Sequence, residues 1–335
     1  MSLLSSSSSI SSNEEEVIEL YQIKDSSILL PHVDRFKQSV RIKGIITNKE
    51  GLNYIAFVDI EASPTIMLFI DIVRGQLSIF TNDIVRFKRY VNSVDWKKGF
   101  LSNPKYQIDM DPTTYPYQKD GLVDHLLPSS RYLAFASLGL EENDILEDVL
   151  RRQGLKIEPS PEIFDLLMLP IESKQDKIED LKQYLEGGES PITFDEADVV
   201  GMKQNEEDVG TRKKQMINNN WTYRSTKSLA FMRWTTKHSI TSCVRGGKEN
   251  EIISWAIQYT DGSVGSLFTL PKHRGNSYAM RVVADILIKC LSKPYLLVPF
   301  IYINTENQPS QNLFRNLGFR PITLTRWLTA SNSPN

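Results

Sequence analysis

Cysteine is nearly absent from this chain. Its 335 residues include two, Cys243 and Cys290. Two cysteines build no disulfide framework, and their scarcity points to a reducing compartment. Excess charge is missing as well. Lys and Arg total 39 against 41 Asp and Glu, a net charge of −2. That balance gives no electrostatic reason to expect a nucleic-acid or membrane-surface partner. No apolar run approaches the ~18 residues of a membrane-spanning helix. The opening stretch MSLLSSSSSISSNEEE has no basic residue, and the first is Lys24. A mitochondrial presequence is Arg-rich and poor in acids, so a cytoplasmic location is expected. Residues 1–13 read as a disordered serine-rich tail.

The remaining sequence is that of an α/β protein. At 40% hydrophobic residues it can bury a sizeable core, and its length suggests two domains. The Gly-Gly-Glu-Ser-Pro stretch at 187–191 is the best linker. It divides an N-terminal α/β domain, 14–190, from a C-terminal domain, 191–330. In the first, residues 14–21 are predicted as a helix and 26–32 as a connector. Strands are predicted at 40–48, 54–60, 65–73 and 77–81, then a helix capped by Asn82. Further helices are predicted at 138–152, 162–169 and 176–185. Asp109 and Asp111 lack further ligands at fixed spacing, so no metal is expected. The second domain reads as a strand at 192–201, helices at 206–221 and 226–238, and strands at 240–244, 252–259 and 264–270. A helix at 277–291, a strand at 296–303, a helix at 308–316 and a strand at 318–327 complete it.

Residues 252–289 carry the chemistry. Asp261-Gly262 supplies a tight turn between two strands, and Pro271 ends the second strand's pairing. A short basic loop then leads into a helix. A strand running into a loop at a helix N-terminus presents free N–H groups and the positive end of the helix dipole. That combination favours phosphate.

The loop Arg274-Gly275-Asn276-Ser277-Tyr278-Ala279 resembles the R-x-x-G-x-G/A pyrophosphate loop of the GNAT acyltransferases. Ser277 stands where those proteins usually have glycine, but it keeps an N–H to donate. Downstream, the stretch from Asn307 through Phe314 to Gly318-Phe319 resembles the GNAT signature N-x-x-[AS]-x-x-[LF]-[YF]-x-x-[LG]-GF. The sequence is more specifically similar to the glycine N-acyltransferase family. Ser254-Trp255 followed by Thr269-Leu270-Pro271-Lys272-His273-Arg274 matches its SW…TLPEYR pattern. The NNWT of 219–222, residues 40–48 with 57–59, and Asp95-Trp96-Lys97 carry looser likenesses. The resemblance spans residues 33–328 and is specific only in the C-terminal third.

This resemblance implies a mixed, splayed sheet flanked by helices in the C-terminal domain, the GNAT fold. It implies a degenerate GNAT-like half before it. The expected activity is transfer of an acyl group from acyl-CoA, the co-substrate, to the amine of glycine or another small amino acid. No metal is expected, and the protein is expected to be a monomer. Mitochondrial location, known among relatives, is the alternative to a cytoplasmic one. Phe268, Thr269, Leu270, Arg274 to Ala279, Asn307 and Phe314 are the implied coenzyme-binding residues. The family's glutamate base falls at Ser263, which cannot act as a carboxylate. Asp261 is the nearest substitute, directly or through water. Phe314 stands where many of these enzymes have a thiolate-protonating tyrosine, and it can only pack. Two alternatives stay open: a non-catalytic acyl-CoA-binding protein of the same fold, and an acetyltransferase acting on a protein or peptide amine. Acyl length and acceptor identity depend on pocket volume and are not encoded in motifs.

Overall fold

The computed structural model describes residues 18–23, 25–47, 54–71, 76–98, 132–158, 162–188, 190–195, 198–199, 216–224, 228–246, 250–259, 261–293 and 298–331. The serine-rich tail, Asp109, Asp111 and most of the helix expected at 206–221 lie outside these residues.

Two halves repeat one order of elements. In the first, β1 (Tyr21–Ile23) leads to a 3-10 helix (Ser26–Arg35) and α1 (Ser39–Thr47). An antiparallel meander follows: β2 (Tyr54–Val58), β3 (Ile66–Asp71) and β4 (Gln76–Thr81). Then come α2 (Ile84–Ser93), β5 (Tyr132–Gly139), α3 (Leu140–Arg152), β6 (Lys156–Glu158) and β7 (Phe164–Met168). After α4 (Lys174–Lys182), the second half brings α5 (Met216–Asn219) and α6 (Ser228–His238). Its own meander is β8 (Thr241–Gly246), β9 (Glu251–Gln258) and β10 (Val264–Thr269). The closing elements are α7 (Tyr278–Leu291), β11 (Phe300–Asn304), α8 (Gln308–Asn316) and β12 (Arg320–Ser331).

The halves exchange their last strands. The large sheet runs β1-β2-β3-β4-β5-β12-β7-β11, with β6 also on β12. The chain's final strand β12 thus lies between β5 and β7 of the first half. In turn, β7 lies between β12 and β11 of the second. β8–β9–β10 form a separate three-stranded sheet. It meets the large sheet at an isolated parallel bridge between Ser263 and Phe300.

Several of the sequence expectations are overturned, among them the cap of α2, which is Asp83 and not Asn82, and the connector at 26–32, which is part of a 3-10 helix. Residues 40–48 are not a strand but helix α1. The run is apolar on nearly every side, so periodicity could not separate a buried strand from a buried helix. Ile42, Ile45 and Ile46 pack on Phe69 and Phe80 of the first sheet, while Val40 packs on Leu166 and Phe300. Burying each such side chain is worth roughly 1.5–3 kcal/mol. A β-branched residue gives up only about 0.7 kcal/mol or less of helix propensity. Burial therefore decides. Residues 162–169 are not a helix but hold β7, whose apolar residues lie in the middle of the large sheet with partners on both edges. Of the helix expected at 14–21, residues 18–20 are irregular and Tyr21 begins β1, while 14–17 lie outside the described residues. Among the described residues, the strand expected at 192–201 reduces to one bridge, Ile192 to Cys243, and residues 198–199 are helical.

α1 approaches the second half closely enough to need a glycine. A Cβ on Gly44 would collide with the Asp261 carbonyl oxygen and stand 3.2 Å from the Phe300 ring. Gly44→Ala is therefore expected to cost about 1–3 kcal/mol, the usual range for overpacking. Urea unfolding checks this, and an unchanged midpoint would contradict the close approach.

Candidate functional site

β10 departs from regularity at its centre. Its register against β9 shifts by one residue between Gly265 and Phe268. Ser266, inside the shift, takes a positive φ of 50°. A β-bulge of this kind bends its strand and releases backbone groups from the ladder. Past the bridge at Ser263, no pairing joins β10 to β11 among the described residues. The two parallel strands open into a wedge. In the first half, β4 and β5 instead stay within one sheet, paired at Leu77 and Phe135.

The end of β10 feeds the N-terminus of α7. A 3-10 turn, Pro271–His273, leads to Gly275 at φ 82° and Ser277 at φ 61°. Ser277 is the N-cap, and no side chain caps the helix. The first-turn N–H groups therefore lack intrahelical acceptors. A Cβ on Gly275 would meet nothing within 4 Å, so the loop is open on that side. Arg274 is exposed, donates from Nε to the Thr269 carbonyl at 3.2 Å and lies 5.6 Å over the Phe268 ring. Asn276 donates to the His273 carbonyl at 3.1 Å, folding the loop on itself. Tyr278 and Ala279 begin the helix, and the Tyr278 ring lies edge-on to His273 at 6.4 Å. Thr269 bonds the Ser254 hydroxyl at 2.8 Å, and Leu270 donates its N–H to Ile253 at 2.9 Å. Residues 268–279 thus gather around one open helix end, the donor set a diphosphate needs.

The other sequence candidates lie elsewhere in the framework. Asn307 caps α8, accepting from the Ser310 N–H at 3.2 Å. Phe314 is fully buried, edge-on to Phe319 at 5.1 Å. Asp261 and Ser263 are 1% and 3% exposed. Ser263 donates its N–H and hydroxyl to Asp261 Oδ1, at 3.0 and 2.5 Å. Asp261 Oδ2 stands 3.8 Å from Arg41 Nε of α1, both side chains nearly inaccessible. At that distance the pair is ionic and not a hydrogen bond. Arg41 also donates to the Ala136 carbonyl and the Ser78 hydroxyl, each at 2.8 Å. Its guanidinium lies over Phe80 and Tyr302. The carboxylate nominated as a base is therefore built into a buried lock between the halves, without solvent access to carry a proton away.

A second group of polar residues escaped motif reading. The Tyr259 hydroxyl bonds the Ser266 hydroxyl at 2.6 Å, on the bulge itself. A Cβ on Gly265 would collide with the Tyr259 ring. Tyr223 donates to Glu162 Oε2 at 3.0 Å. Partial burial, then the Glu162 carboxylate and Tyr259, raise the Tyr223 phenol above its usual range. Aromatic contacts continue from Tyr223 to Phe164 at 6.2 Å, to Trp327 at 4.7 Å and to Tyr302 of β11 at 5.0 Å. These rings end on β11, at Tyr302. The pairs join residues far apart in the chain, and no spacing rule could have found them.

The corresponding positions in the first half are acidic. α2 follows β4 as α7 follows β10, but Asp83 caps α2 by accepting the Arg86 N–H at 3.0 Å. A cavity of about 260 Å³ opens nearby, lined by Lys37, Thr81, Gly139, Glu141 and Glu142 among others. The Glu142 carboxylate lies over Gly139 at the start of α3. Carboxylates thus stand where a diphosphate would need N–H donors. One coenzyme per chain is the expected stoichiometry by calorimetry, and two would contradict it. Among the described residues, no group of three or more potential ligands could hold a metal, and no helix is long and apolar enough to cross a membrane.

Residues 243–328 match the model of the FR47-like protein family, about a quarter of the chain. No curated protein matches the sequence. A Drosophila protein of known structure is similar over 94% of this chain and 98% of its own, at 13% identity and a TM-score of 0.58. Lower scores come from two others. A tandem GNAT protein from the clavulanic acid biosynthesis pathway gives 0.44 at 11% identity, over 95% of this chain and 99% of its own. A GCN5-related N-acetyltransferase-like protein from Streptococcus suis gives 0.43 at 14% identity, over 92% and 100%. The protein has the mixed, splayed sheet flanked by helices that the GNAT resemblance implies, built from two halves of similar element order.

Proposed function

We propose that the protein is an acyl-CoA-dependent N-acyltransferase acting on the amine of glycine or another small amino acid. One observation carries this: an uncapped helix N-terminus with two left-handed loop residues, placed at the end of a bulged strand that splays from its neighbour. The loop amides of 275–279 and Arg274 would hold the diphosphate. The pantetheine arm would enter the wedge and extend β10's open edge. An N–H freed by the bulge would face the thioester carbonyl and stabilise the oxyanion, an effect commonly worth about 10²–10³ in rate per donor. The motif likenesses at Ser254-Trp255 and 269–274 favour an amino-acid acceptor. Release of free thiol from acyl-CoA in the presence of an amino-acid panel tests the proposal.

A second reading has an observation of its own. Ser263 stands at the family's base position and is tied to Asp261 in a buried pair. A protein that binds acyl-CoA without turning it over would look the same there. Coenzyme binding without acceptor-dependent thiol release would select it.

A further inference from the structure

We propose that Glu162 is the terminal proton acceptor of the acyl transfer, reached from the β10 bulge through the hydroxyls of Ser266, Tyr259 and Tyr223. This rests on the acyltransferase reading above and supplies the base that Asp261 and Ser263 do not provide.

The positions are laid out along one path. Ser266 is the left-handed residue of the bulge, at the point where the thioester carbonyl would be held. Its hydroxyl and that of Tyr259 are 2.6 Å apart. Gly265 leaves the space that the Tyr259 ring fills. Tyr259 packs on Phe231 at 5.9 Å, Phe231 on Trp221 at 5.7 Å, and Trp221 on Tyr223 at 6.4 Å. Tyr223 in turn delivers its hydroxyl to Glu162 at 3.0 Å. Tyr259 and the Glu162 carboxylate both act electrostatically on the Tyr223 phenol, and the proposed path requires one water between the two phenols. The rings against Tyr223, Phe164 and Trp221, are neutral, and the titratable groups that act on it are Glu162 and Tyr259. Glu162 is partly exposed and can pass a proton to solvent, which buried Asp261 cannot.

The balance is simple. The acceptor arrives as an ammonium with three protons. One proton leaves into the relay and protonates the Glu162 carboxylate, then solvent. The nitrogen lone pair forms the C–N bond to the thioester carbon. The C–S bond breaks, and its electron pair stays on sulfur. The second proton lost by nitrogen ends on that thiolate, giving an amide and free coenzyme.

The test measures acceptor-dependent thiol release between pH 6 and 9, with coenzyme affinity by calorimetry, for the native protein, Glu162→Gln, Glu162→Asp and Tyr223→Phe. General-base help is typically worth about 10²–10⁴-fold. Glu162→Gln is expected to lower kcat by about 10²-fold at pH 7, with the deficit shrinking toward pH 9 as free amine accumulates. Glu162→Asp should recover part of the rate, and Tyr223→Phe should resemble Glu162→Gln. Coenzyme affinity should be unchanged in all of them. A purely structural role would lower the rate equally at every pH. Native rates and profiles in Glu162→Gln and Tyr223→Phe would overturn the relay while leaving the acyltransferase standing. A native protein that binds acyl-CoA and shows no acceptor-dependent release would overturn both.

Discussion

Arg274→Glu is expected to weaken acyl-CoA binding by at least about 100-fold while leaving the fold intact. Arg274 is exposed at the rim of the α7 loop and holds its place through Thr269 and the Phe268 ring. A charged hydrogen bond to phosphate contributes about 1.5–3 kcal/mol, a factor of roughly 10–150. Glutamate removes that and adds a negative charge beside a dianionic group. Its like-charge repulsion is partly screened at physiological salt, so the effect should grow as ionic strength falls. Calorimetry on a variant with native circular dichroism gives the answer. Unchanged affinity would remove residues 274–279 from the coenzyme site.

Arg41→Leu is expected to have the largest effect on stability. The arginine is buried beneath α1 and reaches β4, β5, β11 and the β9–β10 turn. Deleting one partner of a buried pair leaves an uncompensated charge, here Asp261, and costs about 3–5 kcal/mol. The Ala136 carbonyl and Ser78 hydroxyl lose a donor as well. Removing both charges, as in Arg41→Leu with Asp261→Asn, should recover much of the loss, because the isolated carboxylate is then gone. Denaturant unfolding of the two single variants and the double variant measures this coupling. Simple additivity would show that the two groups do not interact.

Much of the second half could be read from its residues. Asp261-Gly262 fixed a hairpin, Pro271 a strand end, and the apolar spacing of Met280, Val283, Ala284, Leu287 and Ile288 the packed face of α7, on which Val283, Ala284 and Leu287 are buried and Met280 and Ile288 partly so. The phosphate-type loop was legible because its signal is local: a glycine, a basic residue and a helix start within a few positions. The first half was less legible for a physical reason. α1 and β7 are both short, largely buried runs in which Arg41, Lys43 and Asp165 interrupt the apolar residues, and a run that short gives no decisive period. Only their neighbours decide between helix and strand: α1 packs on Phe69 and Phe80 of its own half and on Phe300 of the other, and β7 pairs with β11 and β12. The exchange of β12 and β7 could not be seen for the same reason. Register along a strand is local information, but the choice of partner strand is not.

The site divides along the same line. Residues 268–279 announce themselves by type and spacing. In sequence Asp261 reads as a turn residue and the nearest substitute for the base, and its partner Arg41 lies in a segment expected to be a strand. The Tyr223–Glu162 contact spans 61 residues and crosses from one half to the other. Tyr223 directly follows the NNWT of 219–222, but nothing in sequence points from there to Glu162. What the hydroxyls of Ser266 and Tyr259 share is a strand irregularity, which leaves no trace in composition beyond Gly265.

The most direct measurement of the central claim is free-thiol release from acetyl-, benzoyl- and longer acyl-CoA with a panel of amino acids. The account predicts release that depends on the acceptor, saturates with acyl-CoA and is abolished by Arg274→Glu. A folded protein that releases no thiol with any acyl-CoA and acceptor pair would contradict it.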